Sequence, residues 1–353
     1  MEQIAFIADH TYIYWNDAIL ALASAAAVCL FLALYVDSGR NAVTAAVFLP
    51  LAAGASLVLS RLAHWYFRPE SFRRLRDVWD LTVSGDMALM GAFAGCILAA
   101  AGVRLLRITK DLPELLNSVA VAGCLGIAVG RLASFFDTSD RGMILTNVTE
   151  LPWAVSTINP VSGTAELRLA TFLLQAMACG VIFLGLLVFC LRTKRKKNNG
   201  KRDTLWLFLL FYGMFQVVLD STRYDSLYFR SNGFVSVVQV LNACALAVVT
   251  ILFAVRLVKA GGWRKRYVIL WLLQAGCFGL AGYMEYHVQR HGAEAVRAYS
   301  IMSAALAGIV LLALATRHMA GREEQAHMAW LRLLQEEKNR SSQGNGRYTE
   351  EYK

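Results

Sequence analysis

The chain has 353 residues, 57% of them hydrophobic and 17% charged, with a mean hydropathy of +0.46. A soluble domain carries about a quarter charged residues, so this composition excludes a soluble globular protein and makes the bilayer the expected solvent. The formal net charge is +10, yet the densest basic run, Arg192 to Arg202, joins two apolar stretches and contains no aromatic residue on which a base could stack, so nucleic acid is not an expected partner.

Taken in chain order, residues 1–17 are acidic and lack the basic start and small-residue cleavage site of a secretory signal, so the first apolar stretch is expected to stay in the protein. Apolar stretches of about 20 residues, enough to cross a hydrocarbon core, recur near 16–36, 41–60, 86–103, 114–135, 169–191, 204–220, 233–255, 267–286 and 298–316. The expected class is therefore all-α, a polytopic helical membrane protein of about nine spans. Residues 317–353 turn polar; HMAWLRLLQEEKNR has a helical pattern, and SSQGNGRYTEEYK is expected to be disordered.

Basic residues collect in cytoplasmic loops. With the amino terminus outside, Arg104, Arg107, Lys110, the Arg192 to Arg202 run, Arg256 to Arg266 and the tail fall inside, a preference of about two to one. The outside set is mainly Arg61 to Arg76. Two longer connections, Arg61 to Gly85 and Asp137 to Arg168, lie outside under this orientation. They carry Trp65, Tyr66, Phe67, Trp79 and Trp153, rings that favour headgroup depth. No repeat of 20–50 residues and no inverted pair of broken spans emerges. All seven cysteines fall within apolar stretches without CxxC or histidine at ligand spacing, so they read as packing residues, and neither a metal nor another cofactor is expected.

Ionisable groups inside spans are costly and mark functional candidates. The fourth stretch ends AVAGCLGIAVGRLASFFDTSDRG, which places Arg131 and Ser134 on one helical face with Asp137 following. The sixth ends FYGMFQVVLDSTRYDS, which sets Gln216, Asp220 and Arg223 at i, i+4 and i+7. Two helices thus deliver arginines to the same, outer, depth. Asp220 facing Arg131 or Arg223 would make a structural salt bridge; alternatively the guanidinium forks would hold phosphate oxygens.

These stretches resemble the prolipoprotein diacylglyceryl transferase family, bacterial enzymes that move diacylglycerol from phosphatidylglycerol to the lipobox cysteine thiol of a prolipoprotein. Gly130-Arg131-Leu132-Ala133-Ser134-Phe135 is similar to the family's GRxGNF signature, and Tyr212-Gly213 through Asp220 and Arg223 to its YGxxRxxxExxR element. Gly233 through Gln239, Leu59 through His64, and Val78-Trp79-Asp80 followed by Met87 through Gly91 resemble further family stretches. The likeness extends over roughly residues 10 to 257. It departs at telling positions: Met90 stands where the family has histidine, Gln216 where it has the first arginine, Asp220 for its glutamate, and Ser134 and Asp137 for its two asparagines. Residues 162–169 keep none of the family's HPSQLYE motif.

The resemblance implies a transferase-like domain over 1–257, an added helix pair over 258–316 and a cytoplasmic tail over 317–353, in a multi-pass protein of the bacterial cell membrane. It implies Arg131, Asp220 and Arg223 as catalytic residues, and Arg61, His64, Ser134, Asp137, Gln216 and Gln239 as substrate-binding ones. Phosphatidylglycerol and a prolipoprotein lipobox peptide are the implied partners. With the histidine missing, His64 is the nearest substitute base, followed by Asp137 and Asp220. Two alternatives remain open: a non-catalytic relative that binds phospholipid or lipoprotein, favoured by the lost motif residues, and a transporter, disfavoured because the polar residues cluster on one side.

Overall fold

The computed structural model describes residues 4–8, 11–36, 39–72, 74–79, 87–109, 111–137, 140–145, 153–158, 163–195, 203–229, 232–291 and 294–350. Asp80 and residues 196–202 of the basic run lie outside them. Among the described residues, nine helices each overlap one of the expected stretches: α1 (Trp15–Val36), α2 (Ala42–Phe67), α3 (Leu89–Leu105), α4 (Leu112–Gly130), α5 (Thr171–Arg195), α6 (Thr204–Ser221), α7 (Val237–Gly261), α8 (Lys265–His291) and α9 (Ala295–Glu350). Eight are long and apolar enough to cross a membrane, and α3 is a shorter apolar helix. The described strands form three small antiparallel hairpins, β1–β2 (Ile4–Ala8, Thr11–Tyr14), β3–β4 (Ala154–Ile158, Ala165–Leu169) and β5–β6 (Tyr228–Phe229, Asn232–Ser236). The protein is an all-α, multi-pass helical membrane protein.

Two expectations change. The stretch expected to be disordered, from Ser341, continues α9 to Glu350; an existing helix adds residues without a new nucleation cost, which a composition-based reading overlooks. Arg61, His64, Trp65, Tyr66 and Phe67 lie on the last turns of α2 rather than in a connection.

The chain divides into two compact units, Met1–Ala245 and Leu246–Lys353. In the first, α2 and α3 approach until their backbones touch: a Cβ on Gly91 would lie 2.3 Å from the Leu59 carbonyl oxygen, and one on Gly95 would lie 2.4 Å from the Ser56 Cα. This is the GxxxG solution to packing in lipid, where small residues admit a neighbouring backbone. Ser56 Oγ adds a hydrogen bond to the Ala92 carbonyl at 3.0 Å. Phe31, Tyr35, Phe48, Ala99, Val103 and Leu115 build a core among α1, α2, α3 and α4. Asn117 on α4 accepts from the Leu205 amide at 2.9 Å, satisfying an orphan donor in the first turn of α6.

The second unit joins the end of α7 to α8 and α9. Leu257, Tyr267 and Ala320 pack together with Trp271 and Met319 against them, and Glu323 meets Arg264 at 2.8 Å and Arg266 at 3.5 Å.

Candidate functional site

Arg131 opens the 3-10 turn Arg131–Phe135 directly after α4, and Arg223 lies two residues past α6. The chain after α4 returns to the end of α6 and pairs with it: Gly142 bridges to Arg223, and the Tyr224 amide donates to the Arg141 carbonyl at 3.3 Å. Gly142 also donates to the Leu169 carbonyl at 2.7 Å. It admits no side chain there, because a Cβ would sit 2.4 Å from Thr171 Oγ1 and 2.8 Å from Leu169 Cβ. This stitching places Asp140 between the two arginines.

Asp140 pairs through Oδ2 with Arg131 Nη1 and through Oδ1 with Arg223 Nη2. Ser134 Oγ donates to Asp140 Oδ2 at 3.1 Å. Asp225 accepts from Arg223 Nε at 3.0 Å and from the Asp140 amide at 2.8 Å. Burial alone would push the Asp140 carboxyl up; Arg131 and Arg223 outweigh it and hold it below the usual carboxylate range. Arg223 is pushed above its ordinary value, since Asp140 and Asp225 override the opposing effect of burial.

Asp220 sits behind this cluster. Its Oδ1 is 3.9 Å from Arg223 Nη1 and lacks a hydrogen-bond donor, while Oδ2 accepts from Ser236 Oγ. Ser236 also begins a capping box for α7: its Oγ accepts from the Gln239 amide at 3.0 Å, and Gln239 Oε1 accepts from the Ser236 amide at 3.2 Å.

Arg131, Ser134, Asp140, Asp220, Arg223 and Asp225 line a cavity of about 770 Å³ whose walls include Leu20, Met90, Phe93, Tyr212 and Leu241. Of the residues expected at the site, Arg131, Asp220, Arg223, His64, Ser134, Asp137 and Gln216 line it. Arg61 and Gln239 do not belong to that lining. Arg61 donates to the Val78 and Asp77 carbonyls at 2.9 and 3.1 Å and lies over the Phe72 ring. Gln239 caps α7 and donates to the Val217 carbonyl at 3.2 Å. His64 is buried, its Nε2 3.2 Å from Ser71 Oγ. Gln216 accepts from Gln175 Nε2 at 2.6 Å, a neutral amide pair joining α5 to α6. Among the described residues no group of His, Cys, Asp or Glu could hold a metal.

Three residues escaped the sequence reading: Asp140, Asp225 and Gln175. The available signal was the need of two arginines for counter-charge; Asp220 is the acid on the same helical stripe and drew the assignment, whereas Asp140 and Asp225 lie in connections. Gln175 is one polar residue in an apolar helix, and its fully buried amide could have been flagged on that ground.

A family model for prolipoprotein diacylglyceryl transferase matches residues 3–255. A Streptococcus uberis protein described as phosphatidylglycerol–prolipoprotein diacylglyceryl transferase is 24% identical over 182 residues, which is 50% of this chain and 66% of that protein's length. The family match contains every residue that lines the cavity, and the paired arginines at the ends of α4 and α6 stand within it, so the chain belongs to the prolipoprotein diacylglyceryl transferase family.

Proposed function

We propose that this protein transfers the diacylglyceryl group of phosphatidylglycerol to a cysteine thiol of a prolipoprotein lipobox, at the outer leaflet of a bacterial cell membrane and with its amino terminus outside. The observation that carries this reading is the convergence of Arg131 and Arg223 on one cavity with apolar walls, which suits a ligand that is part phosphate and part acyl chain.

In the transfer, the acceptor sulfur forms a C–S bond to the glycerol carbon of the diacylglyceryl group, and the C–O bond to the phosphate breaks. Glycerol phosphate leaves with the bonding pair. Arg131 and Arg223 hold the phosphate and stabilise charge on the departing oxygen. The thiol must lose its proton to become nucleophilic. We assign that proton to Asp220, which lines the cavity and whose Oδ1 has no hydrogen-bond donor. His64, Ser134, Asp137 and Gln216 complete the donor-binding wall. Arg61 and Gln239 serve the scaffold, holding the segment 77–78 and the start of α7.

One observation favours a second reading, lipid binding without transfer: Met90 lines the cavity and Gln216 is engaged with Gln175, so neither position supplies a charge. Expression in a bacterium depleted of its own transferase separates the two. Diacylglyceryl-modified lipoprotein that disappears with Arg131→Ala supports transfer; a well-expressed protein that yields none supports the binding reading.

A further inference from the structure

The two guanidiniums that line the cavity share one carboxylate. Asp140 reaches Arg131 with one oxygen and Arg223 with the other, which is how a phosphate would bridge the same two forks. Both arginines keep surface toward the cavity, with side-chain exposures of 17% and 14%. The seat suited to an anion is therefore occupied by a side chain of the protein.

Charge decides how an anion could bind. Arg131 and Arg223 already meet the carboxylates of Asp140, Asp220 and Asp225. A phosphodiester added beside them would bring like charges together in a poorly screened site. A phosphodiester in place of the Asp140 carboxylate, by contrast, leaves the charge in direct contact with the two arginines unchanged.

Local geometry favours such an exchange. Asp140 has φ of 59°, a left-handed conformation uncommon outside glycine, and its amide is held by Asp225. The following residues are fixed by the Gly142 bridge to Arg223 and the Gly142 hydrogen bond to Leu169. The exchange accordingly needs a rotation of one side chain rather than a loop movement, and Asp140 already borders the cavity. Its departure also frees the Ser134 hydroxyl, now donated to Oδ2, for a phosphate oxygen.

We propose that Asp140 is a positioning residue that occupies the seat of the donor's phosphate and yields it on binding, so that the headgroup enters by anion exchange; only the identity of the anion rests on the lipid-donor reading above. Asp140 keeps the arginines aligned for a bridging anion, and it sets a threshold: a ligand without a phosphate has nothing to exchange.

The test is titration of the full chain, purified in non-ionic detergent, with glycerol phosphate and in parallel with inorganic phosphate. Asp140→Asn keeps the shape and removes the charge, and it is expected to bind glycerol phosphate about tenfold tighter than the unmodified protein, equivalent to about 1.4 kcal/mol. The gain should vanish in the Arg131→Ala, Asp140→Asn double variant. Asp225→Asn loosens the hold on Asp140 without removing it and should tighten binding by a smaller factor. Equal or weaker binding by both single variants would overturn the proposal and make Asp140 a scaffold for the arginines. A parallel gain for inorganic phosphate identifies a seat for phosphate alone, and a gain confined to glycerol phosphate identifies one that also reads the glycerol. Tighter binding by Asp140→Asn without lipoprotein modification by the unmodified protein leaves the exchange standing and removes the transfer; modification without any gain in binding does the reverse.

Discussion

Two sets of arginines in the first unit differ in what they hold, and the chain uses them differently. At the end of α2, Arg61 donates to the backbone carbonyls of Asp77 and Val78 and lies over Phe72; it ties a connection to a helix. At the ends of α4 and α6, Arg131 and Arg223 meet the carboxylate of Asp140 and face a cavity. A carbonyl of the main chain cannot be swapped for a ligand without unmaking the fold, whereas a side-chain carboxylate can be exchanged for another anion. Charge is alike in both places; exposure and partner differ, and they decide which arginine is available for chemistry.

The strongest way to break this contrast is Arg223→Ala. It leaves Asp140, Asp220 and Asp225 without their shared cation, and removing one partner of a buried ion pair costs about 3–5 kcal/mol. Thermal unfolding in detergent should register that loss, and transfer by the folded fraction should fall by about 10²-fold or more. Arg61→Ala should cost about 1–3 kcal/mol for carbonyls left unpaired, while transfer per folded molecule stays within about threefold. A loss of transfer from Arg61→Ala as deep as that from Arg223→Ala would erase the distinction.

Gln239→Ala sharpens the contrast from the structural side. It removes half of the capping box at the start of α7 and should lower stability by about 1 kcal/mol. The smallest effect concerns pH. Because the Asp140 carboxyl is held low, its contribution to stability is present above the unfolded value of about 3.9 and is lost as pH falls through the lower folded value. Unfolding temperatures measured from pH 7 down to pH 3 should fall less steeply for Asp140→Asn than for the unmodified protein.

Much of this was legible from sequence because lipid imposes a blunt requirement. Stretches of about 20 apolar residues must become helices, and each of the nine did. Arg131, Asp220 and Arg223 were legible as well, since ionisable residues at span ends stand out against an apolar background. Asp140 was not: it lies nine residues past Arg131 in a polar connection, and the pairing of that connection with the end of α6 brings it between the arginines. Local spacing conveys which residues share a helix face, but it carries no information on where a connection returns. The amide pair of Gln175 and Gln216 was hidden for a related reason, since its halves lie on different helices.

The contact of α2 with α3 has a consequence for position 90. Gly91 and Gly95 are pressed against the α2 backbone, so the rotational setting of α3 is fixed by atoms that cannot yield, and residue 90, about 100° around the helix from Gly91, is delivered to the cavity whatever side chain it carries. Met90 occupies an address that the scaffold maintains independently of its tenant. A histidine installed there would arrive at the same spot without any refolding, and a family built on this frame can gain or lose a reactive group by a single residue change.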